Sequence, residues 1–481
     1  MIKKHPYLTE LVVFFVALAI AVASFYSAVR YKNVGSGGGM DNFYAAKVPI
    51  DVIIYGSSHA ACTVNNGLLW EENGIASYTL SAGGQQVDGT YYFIQESIAN
   101  NKPKVALVET YLFGRSEFAL DAVYRSSLTS KFSTRFVSYV FELARNFGIG
   151  REQVEELLFR LPIVHSRYRE LTRSDFINEE PYIRGYRGDD TVFPVEVPVM
   201  TTERAELSDY DLGYIDRIIK TCKDNGVSLV FFNAPCTMDE ENMARQNSVR
   251  DYVEEQGYPY LAFNHEYEKY GIDFENDLRD TDHLNDVGSN KVTAALRDYI
   301  VENFDIPDRR SQEGYENWDL QVKYLADRGD MYRLRQITET SDYLDAVSEY
   351  GDRYTTIVVL DGNYDALGEG TFADELAPLG IDDAAYERGG AFVVENGQVV
   401  ASSDNKDVYA LHMDMGERAE LNIYKTAKDE FCHTILADRD YSSGVNGLTV
   451  IVYDKSLRRG IDGIYTDVYL GTQAEHVSFD E

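Results

Sequence analysis

The stretch Asp51-Val52-Ile53-Ile54-Tyr55-Gly56-Ser57-Ser58-His59 decides the fold of this chain. Its apolar run from Val52 to Tyr55 is typical of a buried parallel strand that ends abruptly at a Gly-Ser-Ser-His corner. The carboxyl end of such a strand is where α/β sheets bind ligands. A serine in this corner can present its hydroxyl as a nucleophile, so Ser58 is a candidate catalytic residue. The alternative is a polar turn without a chemical role.

Strand-like and helical patterns alternate after this stretch, through residues 48–305. The other strand-like runs are Ser77–Leu80, Val105–Glu109, Val227–Asn233 and Tyr260–Phe263. The helical patterns are Gly89–Asn100, Asp209–Asn225 and Gly288–Phe304. Strands that alternate with helices indicate a parallel sheet with helices packed on both faces. Residues 114–200 interrupt this alternation, and we interpret them as an insertion.

The composition limits the class of partner. A chain of 481 residues is long for one domain, so more than one is expected. It carries 45 basic and 79 acidic residues, a net charge of −34. This balance argues against nucleic-acid binding, which needs a basic face, and against docking on an anionic membrane surface. The four cysteines show no Cys-x-x-Cys spacing, so free, buried thiols are expected, with a Cys222–Cys236 bridge as the alternative.

The amino terminus contains an apolar run without charge, from Leu11 to Val29. As a helix it spans about 28 Å, close to the hydrocarbon thickness of a bilayer. We interpret residues 1–33 as a cytoplasmic tail and a single uncleaved signal anchor, which would hold the body outside the cytoplasm at the cell membrane. Ala21-Val22-Ala23 is an alternative cleavage site, but the apolar run continues beyond it. Residues 34–47, which contain Gly35-Ser36-Gly37-Gly38-Gly39, are expected to form a flexible linker.

The last third of the chain is predicted to be a separate domain. A polar stretch at 306–334 is interpreted as a linker to an accessory, strand-rich mixed α/β domain at 335–481, with a helix at Glu369–Leu379. Asn396-Gly397 predicts a two-residue hairpin turn. Its histidines have no metal-ligand spacing, and no metal site is expected. The strand-like runs of this domain are Thr355–Leu360, Ala391–Glu395, Gln398–Ala401, Ala419–Tyr424, Leu448–Tyr453 and Ile464–Tyr469.

A second chemistry-bearing motif, Asp280-Thr281-Asp282-His283, precedes the last predicted helix of the first domain. Histidine exchanges a proton near neutral pH, so His283 is a candidate general base. A carboxylate three residues earlier in a turn can bond the far ring nitrogen and hold the tautomer, which favours Asp280 over the adjacent Asp282. The alternative is a capping aspartate beside a surface histidine, although Asn285 or Asp286 suits the capping role better.

The Gly56-Ser57-Ser58-His59 corner and the Asp280-x-x-His283 motif resemble those of the SGNH/GDSL hydrolases. Residues 48–305 are similar to the membrane-anchored branch that contains the teichoic-acid D-alanylation protein and alginate-type O-acetylation proteins. The resemblance implies a flavodoxin-like three-layer α/β/α fold, with Ser58 as nucleophile, His283 as base and Asp280 as its orienting partner. It further implies an oxyanion hole formed by the Ser58 N–H with Gly84 or Gly83.

One family motif is missing. The third block, Gly-x-Asn-Asp, supplies an asparagine donor to the oxyanion, but Val105–Glu109 runs into Thr110-Tyr111-Leu112-Phe113. Either Thr110, Tyr111 or His59 replaces this donor, or turnover is slow, or the acyl acceptor is not water. Within the insertion, His165 and Arg167 are candidate substrate-binding residues, with a structural role as the alternative.

The function expected from these residues is that of a membrane-anchored, extracytoplasmic serine esterase or O-acyltransferase. The resemblance implies that its substrate is a small acyl ester, above all acetyl, on a cell-envelope polysaccharide or other acylated glycan. It also implies a membrane-bound O-acyltransferase as a candidate partner. No metal or organic cofactor is expected, because a serine triad supplies the nucleophile, base and charge stabilisation. The alternative is a catalytically inactive surface protein of the same fold that binds carbohydrate or assists envelope assembly.

Overall fold

The computed structural model describes residues 6–31, 39–115, 119–172, 175–176, 182–368, 370–416 and 419–477. The chain divides into two compact units, Met1–Val322 and Lys323–Glu481. The glycine-rich run at 35–38 and residues 1–5 of the expected cytoplasmic tail lie outside the described residues.

The first unit is built on a parallel sheet with the strand order β2-β1-β3-β4-β5. Its strands are β1 (Val52–Gly56), β2 (Ser77–Ser81), β3 (Val105–Glu109), β4 (Ser228–Asn233) and β5 (Tyr260–Ala262). The helices up to the insertion are α1 (Pro6–Val29), α2 (Gly39–Ala45), α3 (Ser58–Thr63), α4 (Asn66–Asn73) and α5 (Val87–Asn100). The insertion holds α6 (Leu120–Ser127), α7 (Thr134–Phe147), α8 (Arg151–Phe159) and α9 (Leu161–Val164). The helices after it are α10 (Asp209–Asn225), α11 (Glu240–Glu255) and α12 (Asp286–Asn303).

Side-chain alternation along the buried strands produces two apolar layers. On one face, Ile53 and Tyr55 of β1 pack with α5 and α10 residues such as Ile215. On the other face, Val52 and Ile54 pack in a core that includes Val292, Leu296 and Ile300 of α12. Successive residues of a strand point to opposite sides, so a strand buried on both faces is apolar throughout. The predicted three-layer α/β/α architecture is therefore confirmed.

Helix α1 matches the apolar run identified in the sequence. Tyr7–Val29 is long and apolar enough to cross a membrane, since it contains an 18-residue window with a mean hydropathy of 2.4, and only 6% of that window is buried. Its carboxyl end is packed: Val29 is buried with Leu128 and Val164 of the insertion.

Residues 306–334 were interpreted as a linker because they are polar, but part of this stretch forms ordered structure. Arg309 forms a bidentate ion pair with the buried Asp51, with nitrogen–oxygen distances of 2.8 and 2.9 Å. Helix α13 (Glu316–Arg335) follows, and its Trp318 is buried against Trp70 and Tyr315. A few large apolar side chains are enough to order a segment that is otherwise charged.

The second unit is a mixed, strand-rich α/β domain, as predicted. A six-stranded antiparallel sheet has the order β15-β14-β13-β6-β7-β8, and a four-stranded sheet has the order β12-β11-β10-β9. The strands are β6 (Thr355–Asp361), β7 (Gly390–Glu395), β8 (Gln398–Ser403), β9 (Tyr409–Asp414), β10 (Glu420–Lys425), β11 (His433–Leu436), β12 (Arg439–Asp440), β13 (Gly447–Asp454), β14 (Arg459–Asp467) and β15 (Glu475–His476). The helices are α14 (Thr340–Ser348), α15 (Ala373–Leu376) and α16 (Asp383–Arg388).

Two predicted boundaries in this unit change. The strand expected at Ile464–Tyr469 begins earlier and ends at Asp467, because β14 pairs with β13 over that longer range through a β-bulge. The helix expected at Glu369–Leu379 is reduced to α15 and the 3₁₀ turn Ala377–Leu379, and Glu369 lies outside the described residues. Asn396 and Gly397 both have positive φ values, 52° and 65°, which is the geometry of the predicted hairpin turn.

Candidate active site

The candidate nucleophile, Ser58, is the first residue of α3 and follows the last residue of β1 by two positions. Ser57 caps the helix, and its hydroxyl oxygen accepts a hydrogen bond from the His59 N–H at 3.3 Å. Gly56 has a φ of +152°, and a Cβ at this position would lie 2.8 Å from the Cβ of Glu109. The chain can turn this corner only because residue 56 has no side chain.

Ser58, His283 and Asp280 are brought together as a hydrogen-bonded relay. The Nε2 atom of His283 lies 2.8 Å from the Ser58 hydroxyl oxygen. Its Nδ1 atom lies 2.9 and 3.0 Å from the two carboxylate oxygens of Asp280. The order of contacts is that of a serine nucleophile, a general base and an orienting carboxylate.

The loop that carries Asp280 is held by its own backbone. The Arg279 N–H donates to the His283 carbonyl at 3.0 Å, and Asp280 accepts the N–H groups of Asp282 at 2.8 Å and His283 at 2.9 Å. Asn285 caps α12 by accepting the Gly288 N–H at 3.1 Å, as its position in the sequence suggested. Asn285 therefore caps the helix, and the Asp280 side chain is available to orient His283.

The electrostatics of this loop favour a charged Asp280. Partial burial opposes ionisation, but the Asp282 N–H, the charge of His283 and its hydrogen bonds outweigh it and hold the pKa of Asp280 below its usual value. An ionised carboxylate at this position stabilises the imidazolium that forms when a histidine removes a proton from serine.

Arg279 and Cys62 were not identified as site residues from the sequence. Their contact connects the loop that carries Asp280 to α3. The Arg279 Nη2 atom lies 2.9 Å from the Cys62 sulfur, and its Nε atom lies 3.8 Å from Asp280. Burial raises the pKa of the Cys62 thiol to about 11, so this cysteine is a neutral packing group. All four cysteines are free and buried, as expected, and no Cys222–Cys236 bridge forms.

Glu109 is the most informative residue that the sequence analysis overlooked. It ends β3, is only 1% exposed, and accepts the Ser57 hydroxyl at 3.1 Å and the Tyr111 N–H. Burial raises its pKa to about 7. A glutamate at the end of the all-apolar run Val105–Val108 was the signal that could have revealed it, because an isolated carboxylate is expensive to bury.

The residues proposed to replace the missing asparagine lie in two environments. Thr110 is fully buried, and its hydroxyl is bonded to groups on β4, α11 and β5. His59 and Tyr111 are stacked, with ring centroids 3.6 Å apart, and the His59 ring centroid lies 4.9 Å from that of His283. His59 therefore lies beside His283 with Tyr111 stacked on it, whereas the Thr110 hydroxyl is engaged with other elements.

The candidate oxyanion glycines follow β2, the neighbour of β1 in the sheet. Gly56 pairs in register with Ser81, so Gly83 and Gly84 follow β2 at the same end of the parallel sheet at which Ser58 follows β1. Gly84 has a φ of +74°, and the Gly83 carbonyl accepts a hydrogen bond from Arg125 at 3.3 Å. Since Ser58 opens α3, its N–H is one of the donors that a helix leaves without an internal partner.

His165 and Arg167 are placed at the end of α1. Arg167 donates to the carbonyl oxygens of Val29 at 2.8 Å and Arg30 at 3.0 Å, and it pairs with Asp175 at 2.8 Å. The exposed His165 bonds through Nδ1 to the Pro162 carbonyl at 2.8 Å. These contacts give Arg167 the structural role that was the stated alternative, and the substrate-binding role of His165 and Arg167 stays a prediction.

Comparison with known proteins gives distant structural similarity. No family model matches the chain, and no curated protein matches it. The chain is similar to a candidate acylhydrolase from Bacteroides fragilis NCTC 9343, at 10% identity and a TM-score of 0.27, over 55% of this chain and 93% of that one. It is also similar to a GDSL-like lipase from Bacteroides thetaiotaomicron VPI-5482, at 12% identity and a TM-score of 0.26, over 55% of this chain and 95% of that one. Both TM-scores are low, so the function is inferred from the geometry of the site.

Proposed function

We propose that this protein is an exported, membrane-anchored serine esterase or O-acyltransferase that acts on small acyl esters, above all acetyl, of a cell-envelope polysaccharide. The observation that carries this proposal is the 2.8 Å contact between His283 Nε2 and the Ser58 hydroxyl, with Asp280 on the far ring nitrogen. A serine hydroxyl is a weak nucleophile until a base within hydrogen-bond distance removes its proton.

The reaction follows from the order of these contacts. Ser58 Oγ attacks the ester carbonyl while its proton passes to His283 Nε2, and Asp280 stabilises the resulting imidazolium. The tetrahedral oxyanion collapses, the C–O bond of the sugar ester breaks, and His283 returns the proton to the leaving alkoxide. The acyl group is then bound to Ser58 until water or a second sugar hydroxyl, deprotonated by His283, removes it.

The membrane and glycan parts of the proposal have separate support. Helix α1 extends over Tyr7–Val29, about 34 Å of helix, which is enough to span a bilayer. The likeness of the Ser58 corner and the Asp280-x-x-His283 motif to envelope acyl-ester proteins favours a glycan ester over a lipid or a peptide. The same likeness favours a membrane-bound O-acyltransferase as the partner that delivers the acyl group.

Release of acetate from an acetylated glycan tests the proposal and separates its two forms. The full chain in detergent is assayed with and without an unacetylated sugar acceptor. An esterase releases acetate at the same rate in both assays, whereas a transferase moves acetyl to the acceptor and releases little acetate. Ser58→Ala should abolish either activity, and Ser57→Ala should retain part of it. Activity that survives Ser58→Ala would contradict the proposal.

A further inference from the structure

We propose that the His59 side chain donates the hydrogen bond to the oxyanion that an asparagine of the third family block would otherwise supply. The inference rests on the proposed function, because the oxyanion forms only when Ser58 attacks an acyl ester. It gives the two neighbouring histidines different roles: His283 moves the proton, and His59 stabilises the negative charge.

Thr110, the candidate that directly follows β3, has no free donor for this role. The Thr110 hydroxyl lies 2.7 Å from Tyr260, 3.0 Å from Gln246 and 3.2 Å from the Phe232 carbonyl. Its N–H donates to the same Phe232 carbonyl at 3.0 Å. Thr110 therefore ties β3 to its neighbours in the buried part of the sheet.

The backbone N–H of Tyr111, the residue after Thr110, already has a hydrogen-bond partner. The Tyr111 N–H donates to the Glu109 carboxylate, which closes a short turn immediately after β3. In the family pattern this loop supplies a donor to the oxyanion, but here its N–H points back at its own strand. What the loop contributes is the Tyr111 ring, which stacks on His59 with an angle of 23° between the ring planes.

His59 has the position and the unused hydrogen-bonding capacity that the role requires. It follows Ser58 directly in α3 and is 3% exposed, and its ring centroid lies 3.6 Å from that of Tyr111 and 4.9 Å from that of His283. Its Nδ1 atom is enclosed without a hydrogen-bond partner, and across the described ranges neither ring nitrogen is bonded to a protein group. A buried polar side chain without a partner is rare, and it is commonly completed by a ligand, a water molecule or a reacting group.

The charge state of His59 suits a donor. Burial, together with the nearby charges of His283 and Arg115, keeps its pKa well below the usual value of 6.5, so the ring is neutral near pH 7. A neutral imidazole carries one N–H, and Nδ1 is the enclosed nitrogen, which favours the tautomer with its proton on Nε2. A neutral histidine held in this way can polarise a carbonyl without giving up its proton.

The experiment compares two substitutions of similar size in the full chain in detergent, with p-nitrophenyl acetate as the substrate. His59→Gln keeps an N–H donor, and His59→Leu fills the same space without one. We expect His59→Leu to lower kcat by about 10²- to 10³-fold with a small change in KM, because one oxyanion donor has an effect of this size in acyl-transfer enzymes. His59→Gln should recover at least about tenfold of that loss.

Two further variants control for packing. His265 is another histidine with a buried, unpartnered Nδ1, and it bonds Asn247 on the α11 side of the fold. His265→Leu should lower thermal stability without changing kcat. Tyr111→Phe keeps the stack on His59 and removes the Tyr111 hydroxyl, so it tests directly whether that hydroxyl, and not His59, is the donor.

Several outcomes would overturn the inference. Wild-type kcat in His59→Leu, equal losses in the Gln and Leu variants, or a 10²-fold loss confined to Tyr111→Phe would each show that His59 is not the donor. Loss of the cooperative thermal transition would identify a His59 variant that does not fold. The kcat of the other His59 variant then decides whether His59 is the donor. Wild-type turnover that does not depend on Ser58 would overturn the proposed function itself, a result distinct from a failure at His59 alone.

Discussion

The Ser57 hydroxyl donates a hydrogen bond of 3.1 Å to the carboxylate of Glu109, and this bond joins the corner after β1 to the end of β3. The same carboxylate accepts the Tyr111 N–H. Glu109 therefore links the residue before the candidate nucleophile to the residue that stacks on His59. Its role is to position the site, because within the described part of the chain its side chain is hydrogen-bonded to Ser57 and Tyr111 and not to Ser58 or His283.

Glu109→Gln should change how stability depends on pH. Burial raises the Glu109 pKa from its ordinary 4.5 to about 7, so the folded state binds more protons than the unfolded state between these values. The contribution of this group to stability is therefore present below pH 4.5 and is lost as the pH rises to about 7, a change on the order of 3 kcal/mol. Thermal midpoints of wild type and Glu109→Gln at pH 5 and pH 8 check this. The wild type should lose more stability than the variant over that interval, and parallel curves would contradict the prediction.

Glu109→Ala should be more damaging than Glu109→Gln. It leaves the Ser57 hydroxyl and the Tyr111 N–H without a buried partner, which costs about 1–3 kcal/mol for each group. The glutamine can still accept the Tyr111 N–H. Thermal denaturation and kcat of the two variants, measured together, check the order. Equal stability of both variants would show that the hydrogen bonds of Glu109 do not support the corner.

Asp280→Asn should reduce activity without unfolding the protein. The amide would retain an acceptor for backbone N–H groups but would no longer hold the His283 tautomer or stabilise its positive charge. We expect kcat at neutral pH to fall by roughly 10²- to 10⁴-fold. Asp282→Asn is the matched control, since Asp282 contributes only its N–H to the loop. A loss in Asp282→Asn as large as that in Asp280→Asn would mean that the wrong carboxylate has been assigned.

Gly56→Ala should distort the corner that presents Ser58. The added methyl would lie 2.8 Å from the Cβ of Glu109 and 3.1 Å from that of Ala60, at a φ of +152°. Backbone strain alone costs about 1–3 kcal/mol, and the overlap adds to it. Gly148→Ala separates the two effects, because Gly148 has a φ of +64° but nothing within 4 Å of an added Cβ. Activity and thermal midpoint should fall further in Gly56→Ala than in Gly148→Ala.

Arg167→Ala should lower stability and leave the chemistry intact. Its guanidinium bonds the last carbonyls of α1, and these lose their partner in the variant. The kcat/KM for p-nitrophenyl acetate should be unchanged, while the thermal midpoint in detergent should fall. A selective rise in KM for a glycan ester, with stability unchanged, would instead support Arg167 as a substrate-binding residue.

The parallel sheet and the relay were accessible from the sequence for physical reasons. Strands buried on both faces are apolar without interruption, so Val52–Tyr55 and Val105–Val108 were readable as central strands. The Asp280-x-x-His283 spacing is set by one turn of backbone, and it predicts a local contact. Ser58 and His283 are more than two hundred residues apart, and no spacing predicts their contact. The contact was predicted from the resemblance to a family.

Other parts of the site depend on contacts that no local pattern contains. Glu109 meets Ser57 only because β1 and β3 are neighbours, and the stack of His59 on Tyr111 arises from the same adjacency. Strand β11 was missed because it has only four residues, and β12 and β15 because two residues hold no alternation. Strand β9 was also missed, although its six residues largely alternate between buried and exposed. The ordered part of 306–334 was missed because Arg309 and Trp318 find their partners, Asp51 and Trp70, far away in the sequence.

The proposed chemistry requires that Ser58 is a nucleophile activated by His283. The most direct test is the mass of the full chain after reaction with a fluorophosphonate probe, with the adduct mapped by peptide sequencing. We expect one adduct, on Ser58, that is absent in Ser58→Ala and forms far more slowly in His283→Ala. A wild-type protein that stays unmodified under conditions that label a known serine esterase, or an adduct on another residue, would contradict it.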